Sequence, residues 1–182
     1  MSMQERIGWK TVGRVYKFRD EDGRIAKLLQ SGAPIEEVKR LAEDGFLGVE
    51  EWEGNVALNE GLQLLIDIII GEDTTSNKWD SDHANIGVGD GTTSEDASQT
   101  GLQGTNKEYE GMDSGYPQRS GQTAIWRATF DGTKANFHWQ EFTVVNATDD
   151  TGTNLIRKVT DKGTKSSGET WTVEIQVTFG SS

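Results

Sequence analysis

The chain of 182 residues contains no cysteine, only two prolines and two histidines, and no apolar run of membrane-spanning length. Without cysteine there is no disulfide, no thiolate metal site and no thiol nucleophile. His83 and His138 alone leave little room for a catalytic metal held by several imidazoles, so no cofactor is expected. The longest apolar run, Leu62 to Ile70, is broken by Gln63 and Asp67 and falls short of the roughly 18 to 20 residues needed to cross a bilayer. The first 19 residues are amphipathic where an export signal would be apolar. The expectation is a soluble chain with no membrane partner.

Basic residues are scarce as well. Lys and Arg number 18 against 30 Asp and Glu, a formal charge of −12, and the imbalance is uneven. Residues 1–19 hold five basic groups and one acid, residues 20–57 four against ten, and residues 58–122 three against twelve. A protein that grips nucleic acid needs a clustered basic surface to neutralise phosphates, and none exists beyond the leading segment. Nucleic acid is therefore not expected as a partner.

Only 33% of residues are hydrophobic, yet six Trp and six Phe supply enough bulk for one core. Arg24 to Gln30 and Pro34 to Asp44 carry apolar residues at helical spacing, punctuated by Ser31-Gly32, Pro34 and Gly45, and predict two short helices. Asn55 to Ile70, apolar almost all round and stopped by Gly71, predicts a helix buried on most sides. Beyond Gly71 the pattern turns to β. Asn85 to Gly89, Ala124 to Phe130, Ala135 to Val145, Leu155 to Thr160 and Thr170 to Phe179 read as strands, with a hairpin turn at Asp131-Gly-Thr-Lys134. In the last strand Trp171, Val173, Ile175, Val177 and Phe179 share one face. Thr100 to Gln122, rich in glycine, predicts a weakly paired or projecting loop. The fold class is α+β, mainly β: an antiparallel β-sandwich or small barrel with one buried helix, two short helices and an N-terminal arm. Residues 1–54 are read as the docking arm and helical pair, residues 55–182 as the β-rich body.

No motif carries chemistry. Gly87, Gly89 and Gly91 lack the spacing of a dinucleotide loop and the Lys-Ser/Thr of a P-loop, which leaves a strand-to-turn role. Asp80, Asp82 and Asp90 do not match a calcium loop, because Asn85 and Gly91 stand where glycine and a bidentate Glu are required. His138 has no nucleophile elbow to serve. Glu141, on the same face as Phe137 and Trp139, must be paired if it is buried, with Arg127 or Arg157 the natural partners. These features predict a protein that is not an enzyme.

The order of segments is more telling than any single motif. The helix that begins after Asn55, Ile86-Gly-Val-Gly-Asp-Gly-Thr-Thr93, a Gly-rich stretch, Ala124-Ile-Trp-Arg-Ala-Thr-Phe130, Ala135-Asn-Phe-His-Trp-Gln-Glu141 and a terminal alternating strand together resemble structural proteins of tailed-bacteriophage virions over residues 55–180. The resemblance implies a non-enzymatic capsid decoration or minor capsid protein, located in the virion after assembly in the host cytoplasm. Its implied partners are other virion proteins, the major capsid protein foremost, and further copies of itself, as a trimer for example. The leading segment interleaves Arg6, Lys10, Arg14, Lys17 and Arg19 with Trp9, Tyr16 and Phe18. That mixture suits a docking interface toward an acidic partner, and suits equally an N-terminal strand of the same sheet. A second functional reading is a tail-associated or glycan-binding module, in which Trp79, Tyr109, Tyr116 and Trp126 would stack on sugars.

Overall fold

A computed structural model describes residues 7–75 and 77–181. Ten strands form two five-stranded antiparallel sheets, in the orders β2-β1-β10-β7-β6 and β3-β9-β8-β4-β5. The first sheet is built from β1 (Ile7–Arg19), β2 (Phe46–Glu53), β6 (Gln118–Ser120), β7 (Thr123–Phe130) and β10 (Glu169–Ser181). The second holds β3 (Val56–Ala57), β4 (Asn85–Gly89), β5 (Lys107–Gly111), β8 (Glu141–Val145) and β9 (Asn154–Val159). Three helices, α1 (Arg24–Gln30), α2 (Ile35–Ala42) and α3 (Asn59–Ile70), complete the α+β, mainly β sandwich.

The core lies between the sheets and follows from strand alternation. In β10, Trp171, Val173, Ile175 and Val177 point inward, joined by Trp126, Ala128 and Phe130 of β7, and they meet Ile86 and Val88 of β4 and Phe142 and Val144 of β8. Trp139 fills the middle, its ring edge-on to Phe130 at 5.0 Å and to Trp171 at 4.8 Å. Its indole N–H donates to the Ala135 carbonyl at 2.8 Å, which removes the penalty of burying that donor. Trp52 of β2 reaches the core only because Gly13 lies beneath it: a Cβ there would come within 2.0 Å of the indole ring.

Several expectations need correcting. The leading segment is no free arm: β1 pairs with β10 along thirteen residues, from Ile7↔Ser181 to Arg19↔Glu169, and with β2 on its other edge. A division at residue 54 therefore marks no structural boundary, since Val15 and Trp52 belong to the same core as Phe142 and Val173. The stretch Phe46–Glu53 was not anticipated as a strand; glutamates occupy much of its surface, and its pairing with β1 supplies what its own sequence does not. Asp131–Lys134 does form a turn, closed by the Lys134 N–H to the Asp131 carbonyl at 3.2 Å, but it leads from one sheet to the other. Residues 135–140 are accordingly not a strand: Ala135 adopts φ 52°, and the chain crosses between the sheets before β8 begins. Within the glycine-rich stretch, β5 and β6 pair in register with β4 and β7.

Helix α3 is less buried than its composition predicts. Gly61 and Leu64 face the body, and Gly61 is tight enough that a Cβ would meet the Asn154 carbonyl at 2.6 Å, whereas Ile66, Ile69 and Ile70 are exposed. The helix sits at the side of the sandwich against β9, so only one of its faces finds protein. Among the described residues no helix is long and apolar enough to cross a membrane.

Substituting Gly13→Ala should destabilise the protein by about 2 to 4 kcal/mol, because a methyl group forces the Trp52 ring out of its place. Urea unfolding with Gly111→Ala as control, where a Cβ would meet nothing closer than Asn85 Oδ1 at 3.8 Å, checks this; equal midpoints for the two variants would refute the close-approach argument.

Candidate functional site

The residues singled out in the leading segment are dispersed over both faces of β1. Arg6 lies outside the described residues. Trp9 packs edge-on against Phe179 at 4.9 Å and donates to Asn55 Oδ1 at 3.2 Å. Lys10 is exposed, 3.9 Å from Glu53. Arg14 is held by Glu51 at 2.7 Å and Glu174 at 3.3 Å. Lys17 pairs with Glu50 and lies 4.2 Å above the Trp171 ring. Tyr16 is half-buried, and burial next to Glu174 pushes its hydroxyl up to about 12. Phe18 is fully buried with Ile25, Leu29, Ile35 and Val38 beneath α1 and α2. Arg19 is exposed at the end of the strand. Antiparallel register places the β2 glutamates beside these cations, so most of the positive charge is neutralised within the sheet.

The densest constellation of charged and polar groups lies on the outer face of the second sheet. Glu141 and Arg157 are both fully buried, with Arg157 donating to Glu141 Oε2 through Nε at 3.0 Å and Nη2 at 2.6 Å. The other carboxylate oxygen accepts the backbone N–H groups of Gly91 at 3.1 Å, Gln103 at 3.1 Å and Gly104 at 2.7 Å. Arg157 Nη1 then reaches the Thr93 carbonyl at 3.0 Å and Gln99 Oε1 at 2.8 Å. The glycine pattern acquires a cause here. A Cβ at Gly89 or Gly91 would stand 2.5 Å from Glu141 Oε1, and one at Gly104 would stand 2.8 Å from it. The glycines are needed so that backbone can close around the carboxylate, and the pairing of Glu141 with Arg157 is one of the two expected from sequence. Asp90 extends the fastening, accepting from the N–H groups of Thr105 and Asn106 at 2.8 and 3.0 Å.

A second buried pair occupies the outer face of the first sheet. Arg127 donates to Asp113 Oδ2 at 2.7 Å, to the Leu29 carbonyl at 2.8 Å and to the Ala33 carbonyl at 3.1 Å, and its guanidinium stacks 4.4 Å from the Tyr116 ring. It thus ties the C-terminal end of α1 and the link to α2 onto β7. Asp20 fastens the other end of α1, accepting from the Ile25 and Ala26 N–H groups at 2.9 and 2.8 Å and from the Thr170 hydroxyl at 2.8 Å. Burial pushes the Asp113 carboxyl up to about 6, with Arg127 pulling the other way. Sequence reasoning did not single out Asp113, whose partners sit on other elements, whereas Asp20-Glu-Asp-Gly23 reads from sequence as a turn and helix lead-in, and the bonds from Ile25 and Ala26 to Asp20 at the start of α1 agree with that.

Neither histidine forms a catalytic array in a cleft. His138 Nε2 lies 2.7 Å from Asp161 and Nδ1 lies 3.3 Å from Thr164, on an open surface where the same Asp161 closes a turn through the Gly163 N–H. His83 is paired with Asp80 at 2.8 Å, and Asp80 also accepts backbone N–H groups of its own turn. Buried Lys165 donates to the Asp131 and Lys134 carbonyls at 2.6 and 2.9 Å and to Asn136 at 2.9 Å, an internal brace for the 131–136 crossing. A cleft of about 630 Å³ is bordered by Asp20, Asp22, Lys27, Asp131 and Gly168, among others. Its Asp20 and Asp131 already serve as a helix cap and a turn clasp. No group of three or more acidic or imidazole side chains placed to hold a metal ion occurs among the described residues. Comparison with protein-family models, with curated proteins and with solved structures finds no match to this chain.

Two outcomes follow from these pairs. Glu141→Gln should destabilise the fold by about 3 to 5 kcal/mol, since Arg157 is left as an uncompensated buried charge, and adding Arg157→Met should recover part of that loss. Double-mutant unfolding measures the coupling, and strict additivity would show that the pair does not act as a unit. For Asp113 the sign is the reverse of an ordinary carboxylate. The folded group holds its proton more tightly than the unfolded one, so its contribution is fully present below the unfolded pKa of about 3.9 and is lost as pH rises through about 6. The stability difference between wild type and Asp113→Asn should therefore shift against the wild type between pH 4 and 7; a flat difference would contradict this.

Proposed function

We propose that this protein is a non-enzymatic structural component of a tailed-phage virion, a capsid decoration or minor capsid protein that works by fitting against other virion proteins, the major capsid protein foremost. The observation that carries the reading is the convergence on Glu141. Gly89 and Gly91 come from the glycine segment of the resemblance and Glu141 from its Asn…Glu segment, and the three meet at one buried point, more than fifty residues apart along the chain at the widest. Residues that recur in a fixed order are expected when they build one structural joint, and this joint orders the long 90–106 loop on the sandwich surface.

The chemistry of the charged groups supports the same reading. Glu141, Asp113, Arg127 and Arg157 are saturated by protein donors and acceptors and lie on sheet faces covered by loop and helix, so each is occupied with holding a layer in place. Of the four aromatics named for glycan binding, two are withdrawn from solvent. Trp79 and Trp126 are buried in the core and linked to each other, the Trp126 indole N–H donating to the Trp79 carbonyl at 2.9 Å, and Tyr116 lies against Arg127. Docking through a loose basic arm is also replaced, since removing residues 7–19 would take away an interior strand and with it the fold.

Quantitative mass spectrometry of purified, nuclease-treated particles tests the proposal. The chain should be present at a fixed ratio to the major capsid protein and survive a salt wash; abundance in infected cells with absence from particles would sink the reading.

A further inference from the structure

All the large apolar side chains that stand well exposed among the described residues, Leu41, Leu47, Val49, Ile66, Ile69 and Ile70, fall between residues 41 and 70. Residues 41–77 also contain nine acidic residues and not one Lys, Arg or His. The sharpest part is the outer stripe of α3, where Ile66, Ile69 and Ile70 recur at helical spacing and are 56%, 74% and 62% exposed, with Asp67 and Glu72 beside them. A three-isoleucine ridge of this kind has the apolar character that association surfaces share.

A patch of matching character lies elsewhere on the same chain. A shallow cleft of about 390 Å³ opens where the β6–β7 turn approaches the end of β10, bordered by Arg119, Gln122, Thr123, Ala124 and Phe179. Residues 114–130 and 175–182 contain no acidic residue at all. Arg119 is exposed, donates to the Gly121 carbonyl at 3.0 Å and has no carboxylate partner among the described residues. The ridge is apolar with an acidic margin, and the cleft is partly apolar with a basic one. β6 is also the edge of its sheet opposite to β2, so the cleft lies on the far side of that sheet from the acidic strand.

We propose that the Ile66–Ile70 ridge of one copy seats in the Arg119–Phe179 cleft of a second copy, with Asp67 and Glu72 facing Arg119. This contact deepens the assembly reading, on which it rests, by naming the surface through which copies meet. Ridge against ridge would set Asp67 and Glu72 against their own equivalents, an arrangement that like charges disfavour. One ridge offers on the order of 300 Å², less than the roughly 800 Å² per partner of a stable interface. A copy that both donates its ridge and accepts another's makes the contact twice, which a symmetric assembly allows.

Sedimentation velocity on the full chain, over a series reaching about 200 µM, provides the test, with Ile69→Glu as a ridge variant and Arg119→Glu as a cleft variant. The wild type should self-associate, each variant should weaken association by about tenfold or more at an unchanged melting temperature, and 0.5 M salt should weaken it for the wild type too. An equimolar mixture of the two variants should associate more strongly than either alone yet more weakly than the wild type, because an intact cleft on one and an intact ridge on the other restore one of the two contacts. A wild type that stays monomeric overturns the proposal, as does wild-type association by Ile69→Glu. Loss of association in Ile69→Glu but not in Arg119→Glu overturns it as well, since the ridge would then meet something other than the cleft. Absence of the protein from purified particles would remove the virion reading and leave the contact between copies to stand or fall on these measurements.

Discussion

A carboxylate withdrawn from water has to be matched donor by donor, and Glu141 shows what that demand imposes on a chain. Two guanidinium bonds and three backbone N–H groups converge on it, and the backbone can come that close only where side chains are missing. The glycines at 89, 91 and 104, the arginine at 157 and the path of the loop between residues 90 and 106 are consequences of one buried charge. Such a pair need contribute little net stability over an apolar replacement. What it adds is a geometric demand, since its oxygens are satisfied only when the N–H groups of Gly91, Gln103 and Gly104 are all brought to them.

The first sheet repeats the arrangement with different parts. Its outer face is covered by α1 and α2, and Arg127 reads the Leu29 and Ala33 carbonyls as Arg157 reads those of the opposite loop. Both sheets of the sandwich are therefore covered on the outside by segments too small to have cores of their own, each pinned by a buried arginine and its carboxylate. The apolar cluster of Phe18, Ile25, Leu29, Ile35 and Val38 supplies area, and the arginine fixes where that area lies. α3 has no such pin, and its outer stripe is left in solvent.

Sequence reading succeeded where a pattern is local. The alternation of Trp171 through Phe179 defines β10 almost residue for residue, and Ser31-Gly32, Pro34 and Gly45 bracket α1 and α2 as their backbone preferences require. It left β1 undecided because a strand whose cations are answered by glutamates on a neighbour looks, by itself, like a charged arm. It misjudged α3 because composition states how apolar a helix is without stating how many sides find partners. Residues 135–140 read as strand by alternation, yet the crossing between sheets and the φ of Ala135 end that regularity. Within the site, the Glu141–Arg157 pair was one of two legible options. The backbone donors of residues 91, 103 and 104 were not legible, since main-chain groups have no letter in a sequence.

The longest pairing among the described residues joins β1 to β10, from Ile7↔Ser181 to Arg19↔Glu169, across most of the sequence. During synthesis β1 leaves the ribosome well before its main hydrogen-bonding neighbour, because the residues of β2 to β9 are made between them. Until then Val15 and Trp52 have no inward-facing companions from β10, and β1 remains an open template for other chains. The nascent protein must therefore hold an unfinished sheet while the intervening strands are made, and an unpaired edge is a liability throughout that interval.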